Sequence, residues 1–249
     1  ADMEKGMTED EALDLTCEFF LSFNRDSDLY IGMQQGDNGQ SLMLGGCDRE
    51  GNCAVNPLTT ICLKASLRNR RIDPKINLRV DKNTPLSIYE LATELTRQGL
   101  GFPQYANDDV VIPALVRMGY DIGDARDYTV AACWEFIIPG VGMDIPNIGA
   151  VSLAGVVSGV IREYLTACET FGQLMDRVRE AIRLDAEGTL AKLSPLYMEP
   201  APWQTALMTD VTRDVSVGAK YRNYGFHGTG FATAVDQLAA VKRYVFDEK

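Results

Sequence analysis

Strand-like stretches alternate with capped helices along this chain, and that alternation limits the fold more than any other feature of its 249 residues. Thr8 followed by Glu11 is a capping box, in which each side chain satisfies a backbone N–H left over at a helix start. It opens a helix with an expected apolar stripe of Leu15, Phe19 and Phe23. Gly32 to Gly46 is rich in Gly, Gln and Asn and reads as loop. A helix follows Asn56-Pro57 and runs through Ile61 and Leu63 to about Arg68. Ile76 to Val80 alternates apolar and polar residues, which predicts a strand with one buried face.

Thr84-Pro85 starts the next helix, with Pro at its first position, a stripe of Ile88, Leu91, Ala92 and Leu95, and a stop at Gly99. A short strand is expected over Gly101 to Tyr105, a short helix from Pro113 to Gly119, and a third strand from Thr129 to Cys133. Two long helices come next. One runs from about Asn147 to Tyr164 with Val156, Val160 and Tyr164 on one side; the other starts at a Thr170/Gln173 capping box and shows Leu174, Val178 and Ile182. A Gly-rich turn, Gly225 to Gly230, precedes a last helix with Val235, Leu238 and Val241. Parallel strands need long crossovers, and helices of these lengths supply them. The expectation is a largely parallel α/β fold.

A net charge of −11 argues against nucleic acid or an anionic membrane surface as partner, since both reward Lys and Arg. The longest apolar stretch, Val151 to Ile161, is interrupted by Ser152, Gly155, Ser158 and Gly159 and falls short of the ~20 residues that span a bilayer. The opening Ala1 to Gly6 is polar and acidic, unlike a signal peptide, so a soluble cytoplasmic protein is expected. Its six cysteines are then expected as reduced thiols, Cys17 and Cys62 as core residues and Cys47 and Cys53 flanking a turn. His227 is the single histidine, so no metal site is expected.

Asp127 to Gly140 stands out. A strand apolar on both faces ends in Cys133-Trp134-Glu135 and a Pro139-Gly140 turn. In extended backbone, residues two apart point the same way, ~6.5 Å apart. Cys133 and Glu135 would then share one cavity, with Trp134 packed behind. Burial would raise the Glu135 pKa and suit it to general acid work. On spacing alone the plainer alternative is a core thiol and a paired structural charge, because Cys is among the most buried residue types.

Four blocks in order resemble the glycyl radical enzyme family, relatives of pyruvate formate-lyase. They are Gly45-Gly46 with Asp48, Gly51 and Asn56; Gly101 to Asp108 continuing into Ile112-Pro113-Ala114-Leu115 and Gly119; the Cys133 loop; and Asn223 to Gly230 leading to Ala234, Asp236, Leu238 and Lys242. The resemblance implies part of a ten-stranded barrel, a parallel half-sheet wrapped by helices, with a finger loop at about 131–140. It implies that Cys133 becomes a thiyl radical and that Glu135 is the acid/base of the Cys-x-Glu subgroup, whose members are dehydratases, lyases and decarboxylases of small polar substrates. The glycyl radical is installed by a separate radical S-adenosylmethionine activase, a partner of the parent protein.

Two departures qualify the match. Ala132 stands where pyruvate formate-lyase has a second cysteine, which disfavours formate acetyltransferase activity. The radical-bearing Arg-Val-x-Gly-Tyr sequence does not occur, since neither Arg79-Val80 nor Arg177-Val178 continues that way. The chain is therefore expected to be an internal fragment without the C-terminal glycyl radical domain, inactive alone, with exposed apolar surface that favours self-association. The alternatives are an interaction module or a subunit of a split enzyme. Asp144 and Asn147, just past the loop, are candidates for substrate hydrogen bonds, with solvated-loop or helix-cap roles as the alternative. Gly228-Thr229-Gly230 also invites a dinucleotide reading, but that needs a further strand and an acidic residue ~20 positions on. A Cys133–His227 hydrolase would need an orienting acid that the sequence does not identify.

Overall fold

The computed structural model describes residues 2–24, 39–131, 134–193, 197–209, 211 and 213–248, without the side chains of Pro146 and Asn147. The chain forms two compact units, residues 1–142 and 143–249.

In the first unit, α1 (Glu9–Ser22) begins at the expected capping box, with Glu11 N–H donating to Thr8 Oγ1 at 3.2 Å and Thr8 N–H to Glu11 Oε2 at 2.8 Å. Its buried side is Cys17 and Phe20, flanked by the partly buried Leu13 and Phe23. Leu15 and Phe19 are 58% and 57% exposed, which corrects the expected stripe. Leu13, Cys17 and Phe20 also recur at helical spacing, and burial in the shared core chooses between the two faces. Strand β1 (Ser41–Gly45) lies inside the stretch expected as loop. Its Leu-Met-Leu run is too short to show a period among polar neighbours.

Helix α2 (Pro57–Asn69) is capped by Asn56, which accepts from Leu58 and Thr59 N–H. Strand β2 (Lys75–Val80) pairs in parallel with β1 on one side and β3 (Gln104–Asn107) on the other. All of β2 is buried, so the apolar/polar alternation marks two covered faces rather than one. Helix α3 (Leu86–Arg97) buries Ile88, Ala92 and Leu95, and Pro85 sits one place before its first residue. Helix α4 (Asp108–Arg117) starts at Asn107, not at Pro113, which lies inside it. The Asn107 side chain accepts from Asp109 N–H at 3.0 Å and fixes the earlier start. Helix α5 (Ile122–Arg126) leads to β4 (Thr129–Ala131) and β5 (Glu135–Ile137), an antiparallel pair. The main core joins Leu63 of α2, Ile76 and Leu78 of β2 and Leu95 of α3 with Cys17 and Phe20.

In the second unit, β6 (Ile145–Ser152) and β7 (Tyr224–Thr229) pair in parallel. They replace the expected start of a helix and the expected Gly-rich turn. Helix α6 (Leu153–Tyr164) begins only after Ser152, whose Oγ accepts from Gly155 N–H at 3.2 Å. Helix α7 (Phe171–Leu193) has its predicted Thr170/Gln173 box, with Gln173 N–H donating to Thr170 Oγ1 at 3.2 Å. Short helices α8 (Pro202–Leu207) and α9 (Val215–Gly218) precede β7, and α10 (Phe231–Val241) follows it, running on as π-helix to Asp247. Val157, Val160, Leu174, Val178 and Ala234 form the core. Val157 takes the place expected of Val156, and Ala234 that of the exposed Val235. No helix among the described residues is long and apolar enough to cross a membrane.

Candidate active site

Cys133, with Ala132, lies outside the described residues. Glu135 opens β5 directly opposite Ala131, so the chain reverses between the two strands. The expectation that Cys133 and Glu135 face one cavity rests on residue 133, which lies outside the described residues. Glu135 is half-buried, not deeply buried, and its Oε2 accepts the backbone N–H of Trp134 at 2.9 Å. Trp134 is 47% exposed and tilts against Phe136, with ring centroids 6.3 Å apart, so it does not pack behind the loop. Phe136 in turn meets Tyr128 edge-on at 5.6 Å.

Beneath this hairpin is a buried polar network. Arg79 of β2 makes a two-pronged pair with Asp108 at the start of α4, Nε to Oδ1 at 2.9 Å and an Nη to Oδ2 at 2.8 Å. The two side chains are 6% and 3% exposed. Tyr128 donates its hydroxyl to Asp108 Oδ1 at 2.7 Å, and its carbonyl accepts from Arg79 at 3.3 Å. The guanidinium carbon sits 4.2 Å from the centre of the Tyr128 ring. Burial opposes the charge on Arg79, but its bonds to Asp108 and that carboxylate's charge outweigh it and hold its pKa above the ordinary value. Burial, then the Asp108 charge, pushes the Tyr128 phenol upward, so it stays a donor.

The Gly45-Gly46 pair has its reason here. Both residues have positive φ, and a Cβ on Gly46 would lie 2.6 Å from Arg79 Nε. Sequence reasoning missed Arg79, Asp108 and Tyr128. The sequence offered little signal: Arg79 reads as a polar position of an alternating strand, and Asp108 as an ordinary acid in a first helical turn.

In the second unit, Asp144 stands just before β6. Its Oδ1 accepts from Asn223 backbone N–H at 3.0 Å and from Nδ2 at 2.9 Å, tying together the starts of β6 and β7. Burial raises its pKa, and the Asn223 bonds only partly offset that. Its Oδ2 is buried with no hydrogen-bond partner among the described residues. Asn147 belongs to β6 rather than to a helix cap, in the stretch where the register with β7 shifts between Ile145 and Gly149. His227 is an exposed residue of β7, opposite Ala150. No group of three or more His, Cys, Asp and Glu suited to a metal occurs among the described residues.

Parallel strand pairing with helices between the strands puts the chain in the α/β class. Residues 1–249 match the profile of the pyruvate formate lyase-like family, and the chain belongs to that family of glycyl radical enzymes. It is 29% identical over 280 residues to (2S)-3-sulfopropanediol dehydratase of Klebsiella oxytoca, covering 100% of this chain and 34% of that protein. It is 26% identical over 234 residues to trans-4-hydroxy-L-proline dehydratase of Clostridioides difficile, covering 84% and 29%. The glycerol-bound B12-independent glycerol dehydratase of Clostridium butyricum superposes with a TM-score of 0.77 at 26% identity, over 98% of this chain and 34% of that one. The chain thus spans about a third of the length of these relatives, and its fold is part of their barrel.

Proposed function

We propose that this chain is the cysteine-loop portion of an enzyme of the Cys-x-Glu subgroup that eliminates water, or another small leaving group, from a small polar substrate. The observation that carries the reading is Glu135, two places after Cys133 in the sequence, which opens β5 opposite Ala131 and accepts Trp134 N–H with its Oε2. Membership of the family supports it, as do relatives named as dehydratases. Arg-Val-x-Gly-Tyr does not occur in these residues, so the glycyl radical would come from polypeptide outside them, installed by a radical S-adenosylmethionine activase. When present, that radical supplies the one-electron oxidising equivalent. The exposed Trp134 at the hairpin tip is consistent with approach by such a segment.

In this reading the Cys133 sulfur exchanges a hydrogen atom with a substrate carbon. The Glu135 carboxyl gives its proton to the departing oxygen, a role worth about 10²–10⁴ in rate. Asp144, whose Oδ2 has no partner among the described residues, and Asn147 are the candidates for hydrogen bonds to substrate hydroxyls. Residues 1–249 form one partial barrel domain with a finger loop at about 131–140, completed by the remaining barrel and a radical domain. The described cysteines are free, which suits a cytoplasmic setting.

The test is turnover of a small diol by the activated assembly. Cys133→Ser should abolish it, and Glu135→Gln should lower kcat by about 10² or more. Full turnover by Glu135→Gln would remove the acid role. Turnover by the 249-residue chain alone would remove the need for a second segment.

A further inference from the structure

Cys47 and Cys53 face each other across an isolated antiparallel bridge. Ala54 N–H donates to Gly46 C=O at 2.8 Å, and Asp48 N–H donates to Asn52 C=O at 2.9 Å. These two bonds flank the cysteine pair, which makes it the non-hydrogen-bonded kind. Residues in that position have Cα atoms about 4.5 Å apart and side chains on one face. A disulfide needs Cα atoms about 4.4–6.8 Å apart. The backbone is already in place for one.

The frame around the pair is held from several sides. Asn52 N–H and Nδ2 bond to the Asp48 carboxylate at 2.7 and 3.0 Å. Arg126 donates to Arg49 C=O at 3.1 Å, and Arg49 reaches Asp124 at 2.6 Å and Asp127 at 2.9 Å. Both thiols are free: Cys53 is exposed, and Cys47 is half-buried with its sulfur 3.6 Å from an Arg79 Nη. A dithiol locked at this spacing, with one member open to solvent, is set up for exchange rather than for core packing.

We propose that Cys47 and Cys53 form a reversible dithiol–disulfide site whose reactant is a low-molecular-weight disulfide. The exposed Cys53 thiolate attacks the reagent, forms a mixed disulfide and releases one thiolate. The Cys47 thiolate then attacks the Cys53 sulfur, closing the Cys47–Cys53 bond and releasing the second thiolate. The protein loses two electrons and two protons, and the small disulfide becomes two thiols. Closure draws the Cys47 sulfur away from Arg79, whose bonds to Asp108 and Tyr128 remain. In the reduced state the site thus touches the network beneath the β4–β5 pair through Arg79. Burial, then the Asp108 charge, keeps the Cys47 thiol above its ordinary pKa, so the closing step accelerates as pH rises through and beyond the usual thiol range.

The experiment is incubation of the native chain with oxidised glutathione, acid quench, alkylation of the remaining thiols and peptide mass spectrometry. The expected product is loss of both thiols with residues 47 and 53 cross-linked. Cys47→Ser should instead accumulate glutathione on Cys53. The buried Cys17 and Cys62 should stay unreacted, which marks an intact fold. Wild-type protein that holds glutathione on Cys53 without closing would overturn the proposal. So would a 47–53 link that forms only once Cys62 also reacts. The readout needs no turnover, so it stands or falls separately from the proposed activity.

Discussion

The two units treat their parallel strands differently. In the first, every residue of the middle strand β2 is buried between helices and neighbouring strands. In the second, four of the six residues of β7 are exposed, and the core lies instead between α6, α7 and α10. Parallel sheets are stable when both faces are covered. The first unit meets that condition with its own residues and can place a charge, Arg79, inside the sheet because Asp108 and Tyr128 answer it. The second unit stakes its stability on aliphatic packing. Chemistry-bearing residues follow the same division: a rigid polar anchor under one hairpin, and a carboxyl with a spare oxygen at the head of a half-covered strand pair.

Asp108→Ala should break this contrast most severely. It leaves the Arg79 charge buried without its partner, at a cost of about 3–5 kcal/mol in urea unfolding. Hydrogen exchange should rise at residues 129–137 and change little in α6 and α7. A cost below about 1 kcal/mol would show that the network is not an anchor. Joint replacement by Arg79→Met and Asp108→Leu should recover much of the loss, because an apolar pair of similar volume removes both desolvation penalties.

Next in size is Leu174→Ala in the second core, expected to cost about 2–4 kcal/mol by cavity formation and to loosen α6 and α7 rather than the hairpin. Gly46→Ala should cost about 1–2 kcal/mol from its left-handed backbone alone, with Arg79 displaced as well. Thr8→Ala, at an exposed cap, should cost about 1 kcal/mol and leave both cores unchanged in exchange experiments.

The smallest effect is one of pH. The folded-state pKa of Asp144 is raised, so the native state holds this proton more tightly than the unfolded chain. Its contribution to stability therefore falls as pH climbs from the ordinary Asp value through the raised one, and is level above that. Asp144→Asn should remove this slope. The variant should equal or exceed the parent in stability at neutral pH, and the difference should vanish on acidification below the ordinary Asp pKa. A variant less stable than the parent at neutral pH would mean that the carboxylate is needed charged.

Much of the helical punctuation was legible. Thr8/Glu11, Asn56 and Thr170/Gln173 cap the helices they announce, since a cap is satisfied within three or four residues of itself. The sequence shows Glu135 two places after Cys133, but not that Glu135 pairs with Ala131 across an antiparallel ladder. Strands β1, β6 and β7 were hidden because a strand's hydrogen bonds come from elsewhere in the chain. Asp144 and Asn223, which join β6 to β7, are 79 residues apart.

By itself, then, the sequence determined what depends on near neighbours: the helix starts, the alternating α/β order and the family blocks. The tertiary structure decided what depends on distant partners. It chose the buried face of α1, where two stripes were equally periodic. It brought Arg79, Asp108 and Tyr128 together beneath the hairpin and set Cys47 opposite Cys53. A burial pattern or a buried charge pair is a property of the surface that arrives to cover it, and no local run of residues specifies that surface.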